Sequence, residues 1–305
     1  MKHNMQKLME LSLQNGPLCV GLDTDPSYIP EIILSKYSSP SEAVLSYNEE
    51  IIKRIVRDKS ACCFKVQIAY YEAMGLKGME VYAKTLKAVR ESGLICISDI
   101  KRGDIAATAG AYAKAHFTGD FETDIITINP YMGFDTLQPF TEYCKNGKGI
   151  FVLLRTSNPG MKDIENLDLK DGKNVLSKVG AELNRINEEF KNLYPEQRCS
   201  PVGAVVGCTE AENAKALREE YPEIYFLIPG YGAQGGGSLL AATLFSKKTG
   251  GTVNSSRGIL CAWKKDEECQ KKLCDGTLQM EDIAEAAAKA AVDSKEDLLN
   301  GAKNL

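Results

Sequence analysis

Residues 94–105 read Leu94-Ile-Cys-Ile-Ser-Asp99-Ile-Lys101-Arg-Gly-Asp104-Ile105. The stretch opens with apolar, partly β-branched residues and ends in charge. A strand that is apolar on both faces is buried on both, as in parallel sheets covered by helices. Seven further runs of this kind occur, at 17–23 (PLCVGLD), 61–67 (ACCFKVQ), 124–130 (DIITINP), 149–155 (GIFVLLR), 201–207 (PVGAVVG), 225–230 (YFLIPG) and 251–257 (GTVNSSR). The run at 94–101 is third in order. Apolar spacing near 3.6 predicts helices at 41–57, 78–91, 108–117, 136–145 and 211–221, and an Ala-rich helix at 281–293 closes the chain. Strand followed by helix, repeated through a chain of 305 residues, predicts an α/β fold closed as a (β/α)8 TIM barrel.

One connection is long. Residues 156–200 separate the fifth and sixth strands, beginning polar and rich in Asn, Gly and Asp and continuing as a helix near 176–193. Such a length inside a compact domain reads as an insertion or lid. No linker, repeat or low-complexity tract breaks the chain, so residues 1–305 are taken as one domain.

Composition removes several function classes. The net charge is −4, with both signs interspersed, so the basic footprint of a nucleic-acid binder is absent. Ten cysteines are scattered without a C-x-x-C pair, and two histidines complete the metal-ligand inventory. This favours reduced core thiols over a disulfide framework or a zinc site. Residues 1–14 are polar and mildly amphipathic, without a signal-peptide core. No apolar run reaches the length of a membrane span. A cytoplasmic location is expected.

In a barrel of this type the active site lies at the C-terminal ends of the strands. The residues there are Asp23, Lys65, Asp99, Lys101, then Asp104, and Arg257 ending the eighth strand. Strand alternation turns Asp99 and Lys101 to one face, where Lys65 can join them in an alternating row of charges. A lysine flanked by carboxylates keeps its proton, which suits a general acid better than a Schiff-base nucleophile. An ion-pair network that only stabilises the barrel would look the same in sequence. Gly230-Tyr-Gly-Ala-Gln234-Gly-Gly-Gly237 follows the seventh strand rather than the first, which argues against a dinucleotide site. Loops after strands seven and eight bind phosphate in this fold, and glycine amides with Arg257 suit an anion. Thr156-Ser157-Asn158-Pro159 offers small polar groups for the edge of a base, or is merely a turn.

Taken in order, these stretches resemble the orotidine 5′-phosphate decarboxylase family, in its longer bacterial-type branch, over nearly the whole chain. The resemblance rests on Gly-Leu-Asp23, Phe-Lys65-Val, Asp99-x-Lys101-x-x-Asp104-Ile105 with Thr108, Thr-Ser157-Asn-Pro159, Gly230-Tyr-Gly-Ala-Gln234, and Arg257. It implies decarboxylation of orotidine 5′-monophosphate to UMP without cofactor or metal. Lys65, Asp99, Lys101 and Asp104 match the catalytic array, with Lys101 as the proton donor. Asp23 and Lys65 would hold ribose hydroxyls, and Ser157 and Pro159 would meet the pyrimidine. Gln234, Arg257 and the amide of Gly258 would hold phosphate. A homodimer is implied, with Asp104, Ile105 and Thr108 reaching the partner's site; Gln67 is a further lining residue. Arg102-Gly103 inside the signature and the long 156–200 connection depart from the compact members. Related barrels acting on phosphosugars share D-x-K-x-x-D but use Mg²⁺ and place an acidic residue near Lys65. An aldolase lysine would need apolar surroundings, and a catalytically dead barrel that only binds nucleotides or another protein stays open at this point.

Overall fold

The computed structural model describes residues 1–209, 211–232, 235–245 and 250–305. Eight parallel strands close into a barrel in sequence order: β1 Leu18–Gly21, β2 Cys63–Gln67, β3 Ile95–Arg102, β4 Ile125–Ile128, β5 Gly149–Arg155, β6 Val202–Val206, β7 Phe226–Ile228 and β8 Gly251–Ser255. β1 closes the ring against β8, with Cys19 level with Asn254. The eight apolar runs of the sequence thus become the eight strands, trimmed at their ends where loop geometry begins.

The helices pack outside. Pro40–Asp58, Gly75–Glu91, Ala106–Phe117, Val175–Leu193 and Ala211–Glu220 fall where apolar spacing placed them. The stretch expected as one helix over 136–145 is divided into a 3-10 turn, Phe134–Leu137, and a helix, Gln138–Cys144. Pro139, tolerated in a first helical turn but not in a helix interior, accounts for the break. The closing helix runs Met280–Lys303, ten residues beyond its expected end. Its extension is a packing effect: a Cβ on Gly301 would sit 2.8 Å from the Ser238 backbone, so the two segments meet at a bare glycine.

The N-terminal segment has a structural role that its polarity concealed. It forms a helix, Asn4–Asn15, whose Met5, Leu8 and Met9 join Cys19, Cys63, Ile95, Ile97, Ile125, Phe151 and Tyr225 in one buried cluster. This helix plugs the N-terminal end of the barrel and leaves the opposite end open. His3 caps it, accepting the Gln6 amide at Nδ1 (3.0 Å), so that Nε2 carries the proton donated to the Cys199 carbonyl (2.8 Å). All ten cysteines are free; Cys274 is exposed and Cys261 half-buried, and the rest are buried. Among the described residues, no helix is long and apolar enough to cross a membrane.

Candidate active site

The open end of the barrel gathers charge. Lys65 of β2 donates to Asp23 Oδ1 at 2.9 Å and lies 3.1 Å from Asp99 Oδ2. Lys101 Nζ meets the other oxygen of Asp99 at 2.5 Å. The result is an unbroken row, Asp23–Lys65–Asp99–Lys101. Asp99 is the hub, since Gln67 Nε2 (3.0 Å) and Thr127 Oγ1 (2.8 Å) also donate to it. Strand register sets this up: Gln67 of β2 is level with Asp99 of β3.

Lys101 reaches the row by a different route from simple alternation. The β3–β4 register shifts between Ser98 and Arg102, and Lys101 adopts φ +46°, in the left-handed region that only glycine enters freely. Thr127 holds the irregularity, because its hydroxyl oxygen accepts the amides of Ile100 and Lys101, both at 3.0 Å. Thr127 therefore fixes both the backbone of Lys101 and the carboxylate beside it. Sequence reasoning missed this residue, although it is the polar position near the end of an otherwise apolar fourth strand.

Burial alone would drive the Lys65 ammonium to lose its proton, but the Asp23 and Asp99 carboxylates outweigh it and hold the pKa above the ordinary lysine value. Burial likewise pushes the Asp99 carboxyl upward, and Lys65 and Lys101 overcome it, leaving Asp99 well below the usual carboxylate range. Each charge in the row is tolerable because its neighbour is opposite.

Asp23 is held from the far side as well. Ser256 Oγ donates to its Oδ2 at 2.7 Å, and Asn254 Nδ2 donates to Ser256 at 3.1 Å. Gly21 makes room for them: a Cβ there would lie 1.9 Å from the Ser256 hydroxyl. Neither Ser256 nor Asn254 was singled out in the sequence.

A cavity of about 360 Å³ opens over the row, lined also by Thr156, Ser157 and Asn158 from the end of β5. A second, of about 230 Å³, shares Asp23, Pro229 and Asn254 with it and continues past Gly230, Tyr231 and Arg257. The pair forms one trough across the barrel mouth. β8 stops at Ser255, so Arg257 does not end the strand but opens a short helical turn, Arg257–Leu260, with Gly258 exposed beside it. Tyr231 and Ser238, flanking the glycine-rich loop, both donate to Asp297 of the C-terminal helix, at 2.7 and 2.9 Å. Gln234 lies outside the described residues.

Asp104 does not join the row within one chain. Its carboxylate accepts the amide of Ile105 at 2.8 Å, and Ile105 (55% exposed) and Thr108 face solvent beyond it. Pro159 is exposed at the start of a 3-10 turn, Pro159–Asp163. A larger concavity, about 710 Å³, lies on the flank between the Gln138–Cys144 and Val175–Leu193 helices. Its charges pair locally at the surface, Lys145 with Glu142 and Arg185 with Glu182, and none is buried. Convergent buried ionisable groups in a cavity occur at the barrel mouth, which is the mark of a functional site.

Comparison with known proteins agrees with this geometry. Residues 16–271 match the model of the orotidine 5′-phosphate decarboxylase / HUMPS family. Orotidine 5′-phosphate decarboxylase of Clostridium botulinum (strain Langeland) is 55% identical over 267 residues, 87% of this chain and 91% of the relative. That of Clostridium perfringens (strain SM101) is 50% identical over 293 residues, 96% of each chain. Among solved structures, a Streptomyces avermitilis homologue superposes with a TM-score of 0.79 at 26% identity, covering 99% of this chain and 97% of its own. Leishmania donovani OMP decarboxylase gives 0.66 at 27% identity, covering 92% and 98%. Its fold, its charged mouth and an identity of half or more to such relatives agree: the chain belongs to the orotidine 5′-phosphate decarboxylase / HUMPS family.

Proposed function

We propose that the barrel mouth decarboxylates orotidine 5′-monophosphate to UMP through the Asp23–Lys65–Asp99–Lys101 row, as a carboxy-lyase of pyrimidine nucleotide synthesis. The observation that carries this reading is the row itself, an alternating array with its terminal lysine at the cavity. The bond from C6 of the pyrimidine to its carboxylate breaks, CO₂ leaves, and the electron pair stays on C6 in the ring plane. The ring π system does not delocalise that pair, so fixed charge must stabilise it. Lys101 supplies the cation beside C6 and donates its proton there, giving UMP and a neutral amine that solvent reprotonates. Asp99 sits next to the departing carboxylate and keeps Lys101 from swinging away. Lys65 is held on both sides by carboxylates, so the array is organised before substrate arrives.

The remaining groups divide along the trough. Asp23 and Lys65 meet the ribose hydroxyls; Ser157 and Pro159 meet the pyrimidine. Arg257, the Gly258 amide and Gln234 meet the phosphate, with Arg257 able to grip it bidentately. Asp104, Ile105 and Thr108 act across the interface of a homodimer, Asp104 completing the partner's catalytic array. Exposed apolar side chains in the segments that follow β2, β3 and β4 support that assembly: Leu76 (86% exposed), Ile105, Tyr131 (78%) and Met132 (51%). A single catalytic domain spanning residues 1–305 and a cytoplasmic location complete the reading; ten free thiols suit a reducing compartment. No cofactor is invoked. The Lys65 ammonium sits between two carboxylates, a cation where the related phosphosugar barrels carry an acidic residue.

The test is the loss of orotate absorbance when purified protein meets orotidine 5′-monophosphate with EDTA present throughout. Rapid loss with UMP as product supports the assignment. Inactivity in EDTA, with turnover of a ketose phosphate once Mg²⁺ is restored, would transfer the chain to phosphosugar chemistry.

A further inference from the structure

The insertion between β5 and β6 places one carboxylate behind the residues that line the cavity. Glu165 Oε1 accepts both the backbone amide of Thr156 (2.9 Å) and its hydroxyl (3.0 Å). Its other oxygen lies 3.1 Å from Nε of Arg155, the last residue of β5. The pair is almost dry, with the side chains 8% and 14% exposed. Arg155 extends the clamp, its guanidinium donating to Asn166 Oδ1 at 3.2 Å and touching Met161 Sδ at 3.3 Å. Glu165 is in turn fixed to the helix behind it, because the Leu176 amide donates to its carbonyl at 3.0 Å. That helix is anchored by buried Leu176, Leu183 and Phe190.

The next residue along the chain is Ser157. Its carbonyl accepts the Thr209 hydroxyl at 3.2 Å, and Gly207 presses on it so closely that a Cβ there would lie 2.9 Å away. Ser157 is therefore fixed from the segment that follows β6 on one side and, through Thr156, from Glu165 on the other. Breaking a buried charge pair leaves an uncompensated charge, and here the carboxylate of that pair also holds Thr156, the first residue of the 156–158 turn.

We propose that Glu165 is a positioning residue for recognition of the pyrimidine: the insertion delivers its carboxylate to set the Thr156–Asn158 turn against the cavity. The inference rests on the reading that Ser157 meets the base. It gives the insertion and Arg155 a task in specificity, separate from the chemistry at Lys101.

The experiment compares binding of UMP with binding of ribose 5-phosphate, which lacks the base, by titration calorimetry on the full-length protein. Glu165→Ala is expected to weaken UMP by about tenfold or more while changing ribose 5-phosphate by less than about twofold, as loss of a buried charge-assisted contact that orders a binding turn should. Glu165→Gln keeps an oxygen for Thr156 but loses the charge facing Arg155, so its effect on UMP falls between wild type and alanine; it decides the matter if the alanine variant does not fold. Equal weakening of both ligands, or unchanged UMP affinity, overturns the proposal. Ser157→Ala run alongside separates two failures. If it does not alter the ratio of the two affinities, the base-reading assignment falls and the inference with it. If it alters the ratio and the Glu165 variants do not, only the positioning role falls.

Discussion

Replacing Lys101 by alanine and, separately, by glycine divides what its side chain does for the reaction from what its backbone costs the fold. The side chain is 45% exposed and, among the described residues, makes one ion pair, to Asp99 at 2.5 Å. A half-exposed pair contributes about 0–1 kcal/mol, and Asp99 retains Lys65, Gln67 and Thr127 when it is lost. Alanine must still adopt φ +46°, at a cost of roughly 1–2 kcal/mol. Glycine avoids that cost but loses roughly 0.5–1 kcal/mol more chain entropy on folding. Lys101→Gly is therefore expected to be more stable than Lys101→Ala by about 0.5–1 kcal/mol, seen as a melting temperature higher by roughly 1–3 °C. Catalysis should treat the two alike. Loss of a general acid removes about 10²–10⁴ in rate, and loss of a preorganised charge removes a further 10²–10³ or so. Both variants should fall by roughly 10⁴–10⁷ in kcat while binding UMP largely intact. The assays are orotate absorbance, UMP titration and a thermal melt. A kcat within tenfold of wild type in either variant would refute the role of Lys101, and a less stable glycine variant would refute the backbone argument.

Three further outcomes are expected. Arg257→Ala should reduce kcat/KM for orotidine 5′-monophosphate far more than for orotidine, which lacks the phosphate; equal losses would remove Arg257 from the phosphate site. Lys101→Ala and Asp104→Ala, each inactive alone, should recover activity when subunits are mixed, approaching about a quarter of wild type, since half the dimers are mixed and each has one intact site of two; no recovery would place Asp104 in its own chain's site. His3 and His116, both buried, have pKa values lowered by burial from 6.5 to about 4, with Arg102 adding to the effect at His116. The unfolded chain binds these protons first, so their contribution is fully present above pH 6.5 and is lost as pH falls through 4, by up to about 3 kcal/mol each. Melting temperatures of His3→Gln and wild type should converge across that window, and parallel curves would contradict the assignment for His3.

The fold was legible because its signal is repetitive. Eight buried strands leave eight apolar runs, and a connection as long as 156–200 announces itself by interrupting the alternation. The N-terminal plug was less visible. Met5, Leu8 and Met9 carry a helical stripe, but a stripe does not say which surface it covers, and here it covers the floor of the barrel. The C-terminal helix runs on past its alanines because of what it meets, Ser238 at Gly301 and the Asp297 contacts, which lie about 60 residues away in the chain.

At the mouth, the charged residues stood out because ionisable groups inside apolar strands demand partners, and Asp23, Lys65, Asp99 and Lys101 could be named from that alone. Their holders could not. Thr127, Asn254, Ser256 and Glu165 are ordinary polar residues in sequence: Thr127 and Ser256 matter through hydrogen bonds to Asp99 and Asp23, far along the chain, Asn254 through Ser256 two residues on, and Glu165 through Thr156 across the turn of the insertion. The same holds for Gly21, whose missing Cβ is needed only because Ser256, just past β8, crosses in front of it.

The sequence by itself determined the repeating architecture, the set of charges and the end of the barrel that bears them, since burial periodicity and the cost of unpaired charge are written in residue types. Only the tertiary structure decided the order of the ion pairs, the left-handed turn that delivers Lys101, and the separation of Asp104 from the row in its own chain. Those depend on strand register and on contacts between distant segments, and neither is encoded in local spacing.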